Sequence, residues 1–281
     1  GIGQWLLHHH TPPGADDATK HAAQLAGMAD AFKLSGLLGI IMGVYCFTLP
    51  HTPPSPGRRA NASLEALGEI RRQPLITLFL LAVPISCIHQ FYFVHTAGFL
   101  GNFQSRTASA INDFFGVGGG GLMTIGQMSE IIVLAMIPLV AKKWSRKSLL
   151  GIGITAYALR MYLFANVNQV SQALGLSEVP ILIAGVALHG LCFGCFIFVA
   201  FMIVDEETTG DVRASAQSLF NMVIVGVGII VGSKIATGLA DWATVEGSGI
   251  DYRKLFTVPM WASIACLVVL LLFYPRRRMT N

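Results

Sequence analysis

The sequence predicts an all-α membrane protein that crosses the bilayer several times. Of its 281 residues, 53% are hydrophobic and only 12% are charged, whereas charged residues make up about 25% of a typical soluble domain. The apolar residues form continuous runs rather than an alternating pattern, which favours membrane helices over the strands of a barrel.

Seven apolar stretches are each long enough to cross the hydrocarbon core as a helix, which takes about 17–25 residues. The predicted spans are residues 32–49, 75–97, 122–141, 149–165, 180–204, 215–240 and 255–274. All five cysteines lie within these runs. A free thiol behaves there as a small apolar group, so no disulfide framework is predicted.

The distribution of basic residues predicts the orientation. If the C-terminus is cytoplasmic, twelve of the nineteen Lys and Arg residues fall on the cytoplasmic side and five on the opposite side. The twelve are Arg58, Arg59, Arg71, Arg72, Lys142, Lys143, Arg146, Lys147, Arg213, Arg276, Arg277 and Arg278. Because Lys and Arg are retained on the cytoplasmic side, we predict a cytoplasmic C-terminus in a bacterial inner membrane. The net charge of +4 then reflects topology and requires no nucleic-acid partner.

Seven spans with a cytoplasmic C-terminus place residue 1 outside, yet the chain lacks a signal peptide and opens on GIGQWLL as if leaving an earlier helix. We therefore expect a fragment that lacks upstream spans. Its expected parts are an outer connector (1–31), the last helix of a first bundle (32–49), a cytoplasmic linker with an amphipathic surface helix (50–73) and a six-helix second bundle (74–281).

Glu130 is the strongest candidate for function, because it lies in the middle of the apolar run LMTIGQMSEIIVLAMIPLVA. A charged side chain at this depth costs at least about 2.5 kcal/mol and usually faces a cavity, a partner or an ion pathway. Gln127 lies one turn earlier on the same helix face. We interpret the two as a site for a proton and a polar solute. The alternatives are a structural acid paired with Arg160 or Lys234, and an amide that bonds a neighbouring helix.

The preceding span carries polar and aromatic side chains at mid-depth, in HQFYFVHTAGF. Gln90, Tyr92 and Phe93 suit a flat polar solute, although the rings could also serve packing alone. Histidine titrates near neutral pH, so His89 is a second candidate for proton coupling, with a satisfied core histidine as the alternative. His189, beside Gly190, is interpreted as a residue that bonds one helix to another, with a residue of an ion or solute pathway as the alternative.

Other motifs indicate packing rather than chemistry. Cys192 and Cys195 form a single C-x-x-C, and His8 to His10 have no spaced partner, so neither a metal nor a cofactor is predicted. The glycine-rich run from Gly98 to Gly121 lacks the Gly-Lys-Ser/Thr of a phosphate loop and is interpreted as a gating loop. Small residues recur at helix-packing spacing in the pairs Gly39 and Gly43, Gly190 and Gly194, and Gly228 and Gly232.

A cluster of charges at the end of the fifth span is a candidate conformational switch. Asp205, Glu206 and Glu207 end that span, and Asp211 is well placed to cap the next helix. Arg213 follows at the membrane edge and is expected to bridge to one of the acids. A pair that forms in one conformation and breaks in another would bias a protein between two states.

Five segments carry a resemblance to a known family. They are FTLPHTPP (47–54), GQMSE (126–130), ALRMYLFA (158–165), LHGLCFG (188–194) and RASAQSLF (213–220). Together they resemble the nucleoside:proton symporter family of the major facilitator superfamily, over residues 32–274. The resemblance implies a twelve-helix fold in two six-helix bundles, of which this chain would supply helices six to twelve.

The resemblance also implies site residues. Glu130 and Gln127 match the acid and the glutamine of the family's eighth helix, and Gln90 matches a glutamine of the seventh. Phe93 and Gly194 occupy substrate-site positions at which the family carries a polar residue and an aspartate, and these departures concern the solute rather than the fold. The implied mechanism is proton-coupled nucleoside uptake. Glu130 is protonated from outside, the solute binds against Gln127, Gln90 and Tyr92, and the bundles rock.

Three alternatives stay open at the level of the sequence. The same fold could carry a sugar or an export substrate, and a non-transporting membrane sensor is compatible with Gly194 in place of an acid. A membrane enzyme is disfavoured, because HExxH, GxSxG and an acidic cluster within a span are all absent from the sequence.

Overall fold

The computed structural model describes residues 10, 12, 14, 16–51, 62–103, 119–210 and 212–275, and the described ranges are almost entirely helical. The helices are α1 (Asp17–Cys46), α2 (Ala62–Ile70), α3 (Leu75–Gly101), α4 (Gly119–Val140), α5 (Arg146–Ala165), α6 (Val167–Leu174), α7 (Glu178–Glu207), α8 (Arg213–Ala243) and α9 (Tyr252–Phe273). Two short strands, β1 (Thr244–Val245) and β2 (Gly249–Ile250), pair antiparallel between α8 and α9.

Seven of these helices are long and apolar enough to cross a membrane, as predicted, and the chain is therefore a multi-pass membrane protein. The observed ends differ from the predicted ones by a few residues, because polar capping residues set the ends and hydropathy does not register them. Ser145 begins α5 by accepting a bond from the Ser148 backbone N–H. Asp251 begins α9 in the same way, through the N–H groups of Arg253 and Lys254.

The first predicted span is the one that shifts most. Helix α1 begins at Asp17 rather than at residue 32, and its apolar window is Leu25–Cys46. The Asp16 carboxylate caps the helix through the Thr19 N–H, and the alanine-rich stretch that follows has high helix propensity. The polar connector expected over residues 1–31 is thus helical in its second half, and its first nine residues lie outside the described ranges.

Two long helices contain segments of wider π-helical turn that the sequence analysis did not predict. Helix α7 comprises Glu178–Ala187, His189–Leu191, a π segment Cys192–Phe198 and Val199–Glu207. Helix α8 comprises Arg213–Asn221, a π segment Met222–Val227 and Gly228–Ala243. Such segments rotate the register of the side chains that follow, and they are frequent at functional sites.

Helices α3, α4, α5 and α7 bring their inward faces together. Helix α3 packs along α8 and α9 and against α4, while α5 packs against α9 and α7, and α4 packs against α7. Within the described ranges, α1 has no contact of similar extent with these helices, and its apolar window is almost wholly exposed. Helix α2, predicted in the linker, packs against the beginning of α8.

Glycine permits the close approach of helices at two of the three predicted pairs. A Cβ at Gly194 would lie 2.6 Å from Val133 Cγ1 on α4, and a Cβ at Gly232 would lie 2.9 Å from Cys87 Cα on α3. Real Cβ atoms do not come so close, so these contacts require the absence of a side chain. At Gly39 and Gly43, by contrast, an added Cβ would meet nothing within 4 Å in the described part of the chain.

Candidate functional site

A fully buried arginine lies at the centre of the helical bundle. Arg160 of α5 is 0% exposed, and its guanidinium carbon stands 3.9 Å from the ring centre of Tyr92 on α3 and 5.1 Å from that of Tyr157 on α5. Ring faces attract a desolvated cation by about 2 kcal/mol or more. Its Nε and Nη2 atoms have no hydrogen-bond partner within the described ranges. The two rings therefore solvate much of this charge.

The contact with Arg160 determines which ring nitrogen of His189, on α7, carries the proton. Arg160 Nη1 is 3.1 Å from His189 Nδ1. Arginine can only donate a hydrogen bond, so Nδ1 must accept, and a neutral imidazole then carries its proton on Nε2. The ring is held in this orientation by stacking on Tyr92 at 5.1 Å and on His89 at 5.3 Å between ring centres.

Glu130 stands at the other side of the same imidazole. His189 Nε2 lies 3.3 Å from Glu130 Oε2, and the side chain of Glu130 is 24% exposed whereas that of His189 is 5% exposed. A buried cation, a neutral imidazole and an accessible carboxylate thus follow one another across α5, α7 and α4. The carboxylate is the member of the three that a proton or a solute can reach from the exterior of the bundle.

Small residues bring α4 and α7 close enough for this contact. A Cβ at Gly126 would lie 3.1 Å from His189 Cβ, and one at Gly190 would lie 2.5 Å from the Ser129 backbone. Ser129 Oγ also donates to the Ala187 carbonyl oxygen at 2.5 Å. The helices are therefore joined immediately beside the Glu130–His189 contact.

Aromatic rings surround the two histidines. His89 Nδ1 is hydrogen-bonded to the Tyr157 hydroxyl at 2.7 Å, as expected for a satisfied core histidine. The ring of Phe93 packs edge-on to both histidines, with centres 5.1 Å from His89 and 5.7 Å from His189. Phe93 is nevertheless 45% exposed. It therefore offers an open aromatic surface beside His189, the residue that Glu130 also contacts.

The two predicted glutamines differ in exposure and in hydrogen bonding. Gln127 is exposed one turn before Glu130. Gln90 is half-buried and donates to Ser233 Oγ of α8 at 3.1 Å. These two amides stay candidates for solute contact, one freely accessible and one already bonded to a neighbouring helix.

Two of the predicted substrate residues do not lie where a solute could touch them. Tyr92 is 1% exposed beneath the guanidinium of Arg160. Gly194 is buried against Val133 of α4, so a carboxylate at that position would collide with α4 rather than face a ribose. Both are covered because the inward faces of α3 and α7 pack against other helices, and their roles in substrate binding stay predictions.

Within the described ranges, Glu130 does not pair directly with an intramembrane base, which was the structural alternative to a functional role. His189 intervenes between Glu130 and Arg160, and Lys234 is exposed on α8. His189 joins one helix to another, as predicted, but its position between the acid and the base was not predicted. One signal could have indicated it: a histidine and an arginine in neighbouring spans, at the same depth as Glu130.

The charged ends of α7 and α8 meet as predicted, together with contacts that were not predicted. Arg213 Nε lies 3.5 Å from Asp205 Oδ1, and Gln217 donates to the same oxygen at 3.1 Å. Glu206 instead pairs with Arg146 of α5, through bonds of 2.6 and 3.0 Å. Asp211, the predicted helix cap, lies outside the described residues.

The linker helix joins the same end of the molecule. Glu69 of α2 accepts hydrogen bonds from the Thr209 backbone N–H at 3.1 Å and from its hydroxyl at 2.8 Å. Thr209 lies in the turn between α7 and α8, so α2 is attached to the turn that carries the switch candidates.

The fold is similar to that of a solved membrane protein. The structure is similar to a crystal structure of a mutant form of the nucleoside transporter NupG, with a TM-score of 0.68 and 21% sequence identity, over 96% of this chain and 71% of that one. The prediction of a major-facilitator-type helical bundle is confirmed by this similarity.

The chain belongs to the nucleoside H+ symporter family, whose sequence profile matches residues 21–279. It is 27% identical over 205 residues to the putative nucleoside transporter YegT of Escherichia coli (strain K12), covering 69% of this chain and 43% of that protein. It is 26% identical over 227 residues to the nucleoside permease NupG of the same organism, covering 75% and 53%. The chain thus spans about half the length of the curated relatives it matches.

Proposed function

We propose that this chain takes part in the proton-coupled uptake of nucleosides by alternating access, in a transport rather than an enzymatic role. The observation that carries the proposal is the open ring of Phe93 beside the half-buried carboxylate of Glu130, both in contact with His189. An aromatic surface next to a hydrogen-bond acceptor fits a solute that combines a flat base with hydroxyl groups. The family and its curated relatives support the same solute class.

In the proposed mechanism, the residues at the open surface bind the solute, and one of them also takes up the proton. The base stacks on Phe93, and the exposed amide of Gln127 and the carboxylate of Glu130 bond the polar groups of the solute. Glu130 also takes up the coupling proton, because it is the accessible ionisable group of the cluster. His89 is bonded to Tyr157 and stacked on His189, and it is the second candidate for coupling.

Alternating access requires contacts that change between states. The Arg213–Asp205 contact at 3.5 Å and the bond network of Glu206 with Arg146 lie at the ends of three helices. We propose that these ion pairs form in one state and separate in another, as parts of the conformational switch. We also propose that the chain consists of the last helix of a first bundle, a linker and a six-helix second bundle.

Replacing Phe93 by alanine is expected to weaken nucleoside binding about fivefold or more, since stacking a base on an aromatic ring contributes about 1–3 kcal/mol. Calorimetry with uridine on the purified full-length protein measures this change. Phe93→Tyr keeps the ring and is expected to keep the affinity. Phe273→Ala removes another exposed phenylalanine, at the end of α9, and serves as the control. If uridine and other nucleosides fail to bind even the wild-type protein, the nucleoside assignment is wrong.

The proposed orientation places the end of the molecule that carries the α4–α5 turn in the cytoplasm of an inner membrane. Lys143 is exposed in that turn and Ser248 is exposed in the β1–β2 turn at the opposite end. With the native cysteines replaced, we expect an impermeant thiol reagent added to intact cells to label Ser248→Cys and to leave Lys143→Cys unlabelled. The reverse pattern would overturn the orientation.

A further inference from the structure

We propose that His189 is a neutral positioning residue, oriented by Arg160, that holds the ionised form of Glu130 and thereby ties α4 to α7 and α5 until a proton arrives. This inference rests on the proposed uptake of the coupling proton by Glu130. It assigns roles to two residues outside the substrate surface, and it specifies which group of the cluster titrates.

The positive charge of Arg160 requires a negative partner. Arg160 is fully buried and is positive at all relevant pH values. A buried cation without a partner is costly in a low-dielectric interior. Within the described ranges, the carboxylate nearest to it along the chain of contacts is Glu130, with His189 between them. The ionised carboxylate and the guanidinium compensate each other through the imidazole.

The two ring nitrogens of His189 face different partners. Because Arg160 donates to Nδ1, the proton of neutral His189 is on Nε2, and Nε2 is the atom that faces Glu130 Oε2 at 3.3 Å. A polar N–H group 3.3 Å from a carboxylate oxygen stabilises the ionised form of the acid electrostatically, and it stabilises a neutral carboxyl group much less. The contact between α4 and α7 is therefore strongest while Glu130 is ionised.

His189 does not itself take up the coupling proton. A second proton would have to sit on Nδ1, where the Arg160 guanidinium already donates at 3.1 Å, and an imidazolium there would face a like charge in a buried place. The ionisable and charged groups around the pair are His89 and Tyr92 on α3, Tyr157 and Arg160 on α5, and Cys192 on α7. None of these is an acid that is ionised at neutral pH, so Glu130 is the negative group of the cluster.

Protonation of Glu130 therefore has a mechanical consequence. It removes the negative charge that compensates Arg160 and weakens the attachment of α4 to α7 beside Gly126 and Gly190. The substrate surface lies on these same helices. Proton uptake thus loosens the packing of the helix that carries Gln127 and Glu130, which gives the coupling between proton and conformation a structural basis.

The test compares two replacements of His189 in proteoliposomes of the full-length protein, with the inner pH fixed and the outer pH varied. Glutamine can accept from Arg160 through its oxygen and donate to Glu130 through its nitrogen, so H189Q should keep the pH of half-maximal uptake. Leucine can do neither. H189L should move that pH upwards, by up to about one unit, because the ionised carboxylate loses the polar group 3.3 Å from it.

Exchange of labelled nucleoside without a proton gradient shows that each variant is folded and binds its solute. An unchanged pH midpoint in H189L would overturn the positioning role, and a midpoint in H189Q that shifts as in H189L would show that His189 itself titrates. In the E130Q background, H189L should have no further effect on pH dependence. Accumulation that persists in E130Q would refute the proposed role of Glu130, separately from the role of His189.

Discussion

The replacement Glu130→Gln is expected to abolish accumulation of nucleoside against its gradient while leaving exchange across the membrane. The amide has nearly the shape of the carboxyl group but cannot gain or lose the coupling proton. A pH difference of about one unit supplies about 1.4 kcal/mol per proton, enough for roughly tenfold accumulation. Uptake into proteoliposomes under such a gradient measures the loss, and exchange of labelled for unlabelled nucleoside measures what remains.

The matched control is Glu246→Gln, which neutralises an exposed acid in the turn between β1 and β2, away from the candidate site. Its accumulation should equal that of the wild type. If Glu130→Gln concentrates nucleoside as well as the wild type does, Glu130 is a structural acid and His89 becomes the candidate for coupling.

A second large effect is expected from Gly190→Ala, which should destabilise the protein by roughly 1–3 kcal/mol or more, as overpacking of a tight interior does. The new methyl group would lie 2.5 Å from the backbone carbon and oxygen of Ser129. Backbone atoms cannot move aside as the end of a side chain can, so α4 and α7 must separate. Thermal unfolding of the purified full-length protein in detergent measures the loss.

Gly151→Ala provides the control for this substitution. An added Cβ at Gly151 of α5 would meet only Leu270 Cδ2, at an ordinary contact distance of 3.7 Å. Alanine is a better helix former than glycine by roughly 0.5–1 kcal/mol, so this variant should be as stable as the wild type or more stable. Equal stability of the two alanine variants would contradict the close packing of α4 on α7.

The Gly190 substitution also bears on function, because Gly190 is the neighbour of His189 and Ser129 is the neighbour of Glu130. If the helices separate at this point, the 3.3 Å contact between the imidazole and the carboxylate is lost as well. We therefore expect the variant to lose pH-dependent accumulation even at temperatures where it stays folded.

Sequence reasoning predicted the spans well and their ends less well. A run of apolar residues is a local property, so its presence could be read from composition and length alone. The ends depend on single capping residues such as Asp16 and Asp251. Because these residues are polar, a search for apolar runs does not include them. The π segments in α7 and α8 have no comparable signature, because they follow from how the helices pack.

For the same reason, candidate site residues could be selected from the sequence, and their roles stay predictions. An acid within an apolar run is energetically costly and can therefore be recognised from the sequence. Glu130 was selected on this ground, and Gln127 was selected as its neighbour on the same helix face. Tyr92 was assigned to the substrate surface from its place among polar and aromatic residues at mid-depth, and Gly194 from the family resemblance. The face that each helix turns towards its neighbours is decided by packing, and that packing buries both residues.

By itself, the sequence determined that this is a helical membrane protein with seven predicted spans and an acid in the middle of an apolar run, because hydropathy and the cost of a buried charge depend on the residues themselves. Only the tertiary structure decided that Arg160 reaches Glu130 through His189. These three residues lie on three helices, and the contacts between them exist only because small residues let α4 approach α7 and because α5 turns its arginine inward.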